Sequence, residues 1–532
     1  MEEPALRPAR RAQASGGAFA RFLDVVERLG NLLPHPVALF AVLALLVVLG
    51  SAVAAGLGLA VPDPRPEGAP GRAEDGVIRA VSLVSAEGAG RIFAGIVPNF
   101  TGFAPLGVVM TAMLGIGVAE KSGLFSAAVR AIVLKAPPGA VTYAVVLAGI
   151  LSNTASEMGY VVLVPLAAVV YRSLGRHPLA GMAAAFAGVS GGYSANLLIG
   201  TIDPLLAGIT EEAARLIDPA YVVPATASWF FMAASVPLLT LAGGLVSLRL
   251  VEPRLGTFDP ARADEALLAA RAEPLSAREI RGLRAAGLAA LFVFGLMALS
   301  IAPAWGVLRD PVTGDRLRSP FFSGFAVWIL LFFLATGWAF GRAAGTVRTG
   351  RDVIDGMSSA LSSLGLYLVI IFFAAQFVAF FGWSNLGPIT AVWGAALLER
   401  AGLSGPALFL GFILVCALIN LMIGSASAQW AMTAPVFVPM LMLAGWSPEL
   451  IQTAYRIGDS VTNPITPMMS YFGLILAVAA RWDRNFGIGT MIAMMLPYTL
   501  VFLALWSVFF LVWVFGLGLP VGPGAPLLWP PA

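Results

Sequence analysis

Ser152-Asn153-Thr154-Ala155-Ser156-Glu157 and Gly424-Ser425-Ala426-Ser427-Ala428-Gln429 interrupt two long apolar runs with small hydroxyl and amide residues. Each is followed by Gly-x-x-Pro, at Gly175 to Pro178 and at Gly445 to Pro448. A second polar break comes next, Gly192-Tyr193-Ser194-Ala195-Asn196 in one case and Gly458-Asp459-Ser460-Val461-Thr462-Asn463 in the other. The same order met twice reads as an internal repeat. Lipid offers no hydrogen bonds, so unwound backbone at bilayer depth survives only when buried in protein or facing a cavity. Paired interrupted segments in two halves point to the substrate site of a secondary transporter.

Composition sets the class around these breaks. The 532 residues are 59% hydrophobic and 11% charged, with a mean hydropathy of +0.87. A soluble domain carries roughly a quarter charged residues, so this is a polytopic, all-α membrane chain. At roughly 20 apolar residues per crossing, it has room for around ten crossings; the 139–172 and 406–446 stretches are each long enough for a re-entrant helical hairpin plus a helix, which leaves nine or ten full crossings. Net charge is +3 and the basic residues are arginines scattered among loops, with Lys121 and Lys135 as lysines; this fits membrane loops better than a nucleic-acid surface. The single cysteine, Cys416, excludes an intrachain disulfide and a cysteine metal site.

Spans are expected near 36–60, 92–118, 139–172, 179–200, 225–250, 286–303, 320–341, 361–382, 388–424, 430–446, 466–481 and 486–517. The division is an N-terminal segment 1–35, a first half 36–250 with a hairpin near 140–165, a charged linker 251–285, and a second half 286–532 with a hairpin near 406–440. No cleavable signal peptide is expected, and residues 19–33 are amphipathic enough for an interfacial helix, or equally a soluble packing helix. Arginines in 251–285 and 342–351 place those segments and the N-terminus in the cytoplasm by the positive-inside rule. The arithmetic suits a second half inverted relative to the first.

Ionisable residues at membrane depth are costly and usually face a cavity or each other. Glu120, Lys121, Glu157, Asp203, Arg456 and Asp459 qualify. Asp203, ahead of Pro204, suits a proton or cation role or a helix cap. Arg456 and Asp459 are three apart and share a helix face; they form a neutralising ion pair, or Arg456 offers its fork to a carboxylate substrate while Asp459 exchanges a proton or cation. Asn153, Thr154, Ser156, Asn196, Ser425 and Asn463 stand at the breaks, where freed N–H groups bind anions and oxygens bind cations. No bound metal is expected; under the alternative of sodium coupling, the ion's ligands fall near Asn153, Asn196, Ser425 and Asn463. Trp430 is either an interfacial tryptophan or a platform for an aromatic substrate.

These residues resemble a known family. Gly117-Val118-Ala119-Glu120-Lys121-Ser122-Gly123, Ser152 to Tyr160, Ala195 to Pro204, Ser425 to Trp430 and Asp459 to Pro467 look like the aminobenzoyl-glutamate transporter (AbgT) family over nearly the whole chain. The resemblance implies a homodimer in a bacterial inner membrane, with nine transmembrane helices and two hairpins per subunit and a bowl open to the cytoplasm. It implies p-aminobenzoyl-glutamate or related aminobenzoates as substrates, or proton-driven export of sulfonamide antimetabolites. Carried over by position, its functional residues fall on Asp203, Asn420, Ser427, Trp430, Pro448, Arg456, Asp459 and Pro467. The second tip reads Ser-Ala-Ser where dicarboxylate/sodium symporters have Ser-Asn-Thr, so H+ is the expected coupling ion and Na+, as in a sodium-coupled carboxylate importer, the alternative. No enzyme is expected: His-Glu-x-x-His is missing, and Asp203 and Asp459 each sit by a helix break rather than forming a protease dyad. A passive channel would differ in ignoring an imposed pH gradient.

Overall fold

The computed structural model describes residues 36–529, apart from 66, 69–71, 156–158, 270 and 318. The helix expected over 19–33, and Ser156 and Glu157 of the first break, lie outside the described residues. Helices dominate, and the linker after the first span adds a two-stranded antiparallel ribbon, β1 (Ala60–Pro62) with β2 (Val77–Arg79). In the first half α1 is Pro36–Gly56, α2 Ala86–Thr101, α3 Ala104–Ser122, α4 Leu124–Leu134, α5 Val141–Ser152, α6 Val164–Ser173, α7 Pro178–Phe186, α8 Ile202–Ala214 and α9 Trp229–Val246. The second half contributes α10 Ala277–Ile301, α11 Phe325–Ala344, α12 Gly350–Ser363, α13 Gly365–Trp383, α14 Leu386–Arg400, α15 Gly405–Asn420, α16 Ala426–Leu443, α17 Pro448–Val461, α18 Phe472–Trp482 and α19 Ile488–Leu511. Among the described residues eight helices are long and apolar enough to cross a membrane; the pair 124–134 and 138–152, bent by 113°, is a broken span, which would be a ninth, or a re-entrant loop. Lipid-facing character is plain on α10, where Leu288, Leu291 and Phe292 are each about two-thirds exposed.

Local chemistry corrects several expected spans. The segment 388–424 is two helices, because Gly402 (φ 64°) and Gly405 (φ 52°) adopt the left-handed backbone that ends one and precedes the next. The 92–118 crossing runs from 86 to 122 and breaks between α2 and α3 at Gly102-Phe103. Helix α10 begins nine residues before the expected 286, where Ser276 and Glu279 close a capping box. Four helices were not expected as such: α4, α8, α12 and α17. The last is the most instructive, since every residue from Pro448 to Val461 is buried.

The repeat has a structural counterpart. In each half a helix stops at a break, α5 at 153–155 and α15 at 421–425, and a second helix follows, α6 or α16. Both second helices end on the glycine of Gly-x-x-Pro: Gly175 has φ 74° and Gly445 φ 92°. The next amide reaches back five residues in both, Arg176 to the Tyr171 carbonyl (2.9 Å) and Trp446 to that of Leu441 (3.0 Å). Proline then opens the following helix, where its missing N–H costs nothing. Helices α7, extended by a wider turn to Gly191, and α17 both unwind before α8 and α18. Small residues set the close crossings. A Cβ on Gly337 of α11 would meet Ala119 Cα of α3 at 2.5 Å, and one on Gly458 of α17 would meet the Ile413 carbonyl of α15 at 2.6 Å.

Candidate functional site

Within each half the two unwound segments press on one another. A Cβ on Gly200 would lie 2.9 Å from Thr154 Cα, and one on Gly424 would lie 2.7 Å from the Met469 amide nitrogen. Between the halves the contact is polar. The Ser194 N–H donates to Ser460 Oγ (3.1 Å), Asn463 Nδ2 to the Ser190 carbonyl (3.4 Å), and Arg456 to both Asp203 Oδ1 (2.6 Å) and the Ser194 carbonyl (2.9 Å). Asp203 Oδ2 also accepts from Asn196 Nδ2 (2.7 Å) and the Gly200 N–H (2.8 Å), so its carboxylate ties the 196–203 segment to itself and to α17.

The expected pairing of Arg456 with Asp459 does not occur. Arg456 lies on the face of α17 that meets the first half, whereas Asp459 shares a face with Tyr455, whose hydroxyl donates to the Ala426 carbonyl (2.6 Å) and lies 3.3 Å from Asp459 Oδ1. Asp459 Oδ2 is buried with no hydrogen-bond partner among the described residues. Beside it Asn420, at the end of α15, directs Nδ2 at the Asp459 carbonyl (2.6 Å), Thr462 Oγ1 (2.9 Å) and Asn463 Oδ1 (2.8 Å). One amide nitrogen has two protons for these three oxygens, and Asn420 Oδ1 has no partner among the described residues. The cluster is richer in acceptors than in donors, a composition suited to a cation. Asn153 is similarly buried with both amide atoms unpartnered among the described residues.

Trp430 is no platform for a ligand in this conformation. Its ring is buried and stacked on Tyr455 at 4.2 Å, and Nε1 donates to Thr210 Oγ1 (2.8 Å), whose hydroxyl reaches Gln452 Oε1 (2.6 Å). Pro448 opens α17 behind a Ser447 cap, and Pro467 is half-buried in the stretch that follows it.

A cavity of about 660 Å³ lies where the breaks converge, within the size range of small-molecule sites. Ser425, Ser427 and Asn463 of the expected residues line it, together with Tyr160, Tyr193 and Tyr471. Asn153, Thr154, Asn196, Asp203, Asn420, Trp430, Arg456 and Asp459 are buried in its surroundings rather than on its wall. Tyr160 and Tyr471, one from each half, stack at 4.8 Å with rings within 3° of parallel. Composition gave no reason to single out these tyrosines; Tyr160 and Tyr193, however, stood inside the quoted motifs, each beside a break.

Comparison with known proteins supplies the remaining context. A sequence model of the AbgT putative transporter family matches residues 21–529. The p-aminobenzoyl-glutamate transport protein of Escherichia coli (strain K12) is 37% identical over 499 residues, covering 94% of this chain and 95% of that one. Among solved structures, Neisseria gonorrhoeae MtrF, described as illuminating a class of antimetabolite efflux pumps, superposes with a TM-score of 0.90 at 58% identity over 95% of this chain and 100% of that one. The Alcanivorax borkumensis YdaH transporter, described as having an unusual topology, gives 0.85 at 46% identity over 92% and 100%.

Proposed function

Because this chain belongs to the AbgT transporter family, we propose that it is a secondary active transporter of p-aminobenzoyl-glutamate or related aminobenzoates, working as a proton-driven exporter that also expels sulfonamide antimetabolites. The observation that carries this reading is the cavity between the two broken-helix repeats, walled by aromatic rings and hydroxyls. Stacked tyrosines offer a flat apolar face to a p-aminophenyl ring, and Ser425 and Ser427 offer hydroxyls to an amide or sulfonyl group. Asp203 and Asp459 are the carboxylates proposed to exchange the coupling proton. Asp203 would do so by releasing Arg456, which would link protonation to the seam between the halves. Two such subunits would form a homodimer in the inner membrane with their N-termini in the cytoplasm.

A second reading, sodium-coupled carboxylate import, is favoured by the acceptor-rich cluster of Asn420, Asp459 and Asn463, in which Asn420 Oδ1 and Asp459 Oδ2 have no partner among the described residues and suit a hard cation. Purified protein in liposomes, given p-aminobenzoyl-glutamate or a sulfonamide under a proton gradient alone and then a sodium gradient alone, separates the two. Flux that follows only the proton gradient supports the exporter. Flux that follows only sodium replaces it with the importer, and flux that ignores both gradients makes the protein a channel.

A further inference from the structure

The Gly117 to Gly123 stretch sits at the end of α3, and the proposed function leaves it unused. Gly117 presses α3 against α12: a Cβ there would lie 2.6 Å from the Gly356 carbonyl. Gly123, at φ 86°, then stops the helix. This packing leaves Glu120 and Lys121, in the last turn of α3, exposed and on the cavity wall. They are the only charged side chains lining the cavity among the described residues, and neither makes an ion pair or side-chain hydrogen bond there. Arg456, the cation that sequence order offered for a substrate carboxylate, is buried behind the wall with Asp203.

We infer that Lys121 is the specificity-determining cation of the cavity, binding a carboxylate of the transported compound, and that Glu120 beside it weakens binding of anions. This rests on the proposed function and names the chemistry its site selects: an aromatic amide or acid carrying a carboxylate. The glutamyl carboxyls of p-aminobenzoyl-glutamate are ionised at neutral pH, whereas sulfanilamide presents the same p-aminophenyl ring without a charge. An ammonium on a wet wall therefore favours the first and is indifferent to the second. A position in the last helical turn also favours a cation on Lys121.

The test is the KM of each compound for reconstituted wild type, Lys121→Gln, Lys121→Arg and Glu120→Gln. Lys121→Gln is expected to raise the KM for p-aminobenzoyl-glutamate about tenfold, the scale of one charge-assisted contact, and to leave that for sulfanilamide within about twofold. Lys121→Arg restores it. Glu120→Gln shifts the p-aminobenzoyl-glutamate KM downward, and this opposite sign carries the test if Lys121→Gln fails to insert. Added salt weakens p-aminobenzoyl-glutamate binding in wild type and not in Lys121→Gln. Wild type that moves neither compound overturns the proposed function and this assignment with it. Wild type that moves both, with variants that change both KM values equally or neither, overturns the assignment alone.

Discussion

The guanidinium of Arg456 and the carboxylate of Asp203 meet at 2.6 Å, both buried, and bind the second half of the chain to the first across 253 positions of sequence. Removing charges from water costs several kcal/mol per ion unless geometry and further hydrogen bonds compensate. Here Asp203 has three donors and Arg456 two acceptors. The pair joins the first turn of α8 to α17, beside the Ser194–Ser460 and Asn463–Ser190 bonds that also cross between the halves.

Breaking one side of that seam leaves a buried charge alone. Asp203→Ala and Arg456→Ala are each expected to destabilise the protein by about 3–5 kcal/mol, and the double variant by much less than the sum. Thermal unfolding in detergent across the four-member cycle measures this. Additive losses would show that the two side chains do not depend on one another.

Asp459 presents a different case, because one oxygen has a single 3.3 Å contact and the other none among the described residues. Asp459→Asn keeps the shape and removes the charge, so it is expected to insert and fold normally while gradient-driven flux falls at least tenfold. Flux in liposomes at wild-type protein density is the measurement, and undiminished coupling would take the coupling role away from Asp459.

The burial of Trp430 moves the aromatic-recognition test to another residue. Trp430→Ala removes a packed ring and is expected to cost about 3–5 kcal/mol of stability. Tyr471→Ala, on the cavity wall, is expected to weaken an aromatic substrate by about two- to tenfold, the scale of one ring contact. Tyr471→Phe should preserve affinity, and if it loses as much as Tyr471→Ala, the hydroxyl rather than the ring carries recognition.

Gly458 allows α17 to approach α15, and the same approach lets Asn420 reach the Asp459 carbonyl. A Cβ would meet Cys416 Cβ at 2.6 Å, so Gly458→Ala is expected to cost about 1–3 kcal/mol through overpacking. It should also depress transport more than Gly473→Ala, where a Cβ meets nothing within 4 Å. Equal behaviour of the two variants would show that the crossing has room to spare.

The sequence made the hairpins legible because small polar residues in apolar runs have few physical explanations. The Gly-x-x-Pro turns were legible because a left-handed residue and a missing N–H demand those two residue types. Helix α17 was not, since Glu449, Gln452, Arg456 and Asp459 depress its hydropathy to that of a loop; only burial by surrounding helices explains how it stays folded. Arg456 was assigned the wrong partner for a related reason. Spacing along one helix reports which residues share a face, but Asp203 lies on another element brought there by the fold. Trp430 was read by its place beside the break, and the neighbour that covers it, Tyr455, is 25 residues away.

The Ser194 amide leans on the Ser460 hydroxyl, and that hydroxyl gives its own proton to the Arg456 carbonyl (2.7 Å). A rotation of α17 that carried Ser460 away would strip the Ser194 amide of its acceptor in a place where no solvent replaces it. The turn that carries Ser194 and helix α17 are therefore fastened to one another by a buried backbone donor, and displacing either alone costs that bond.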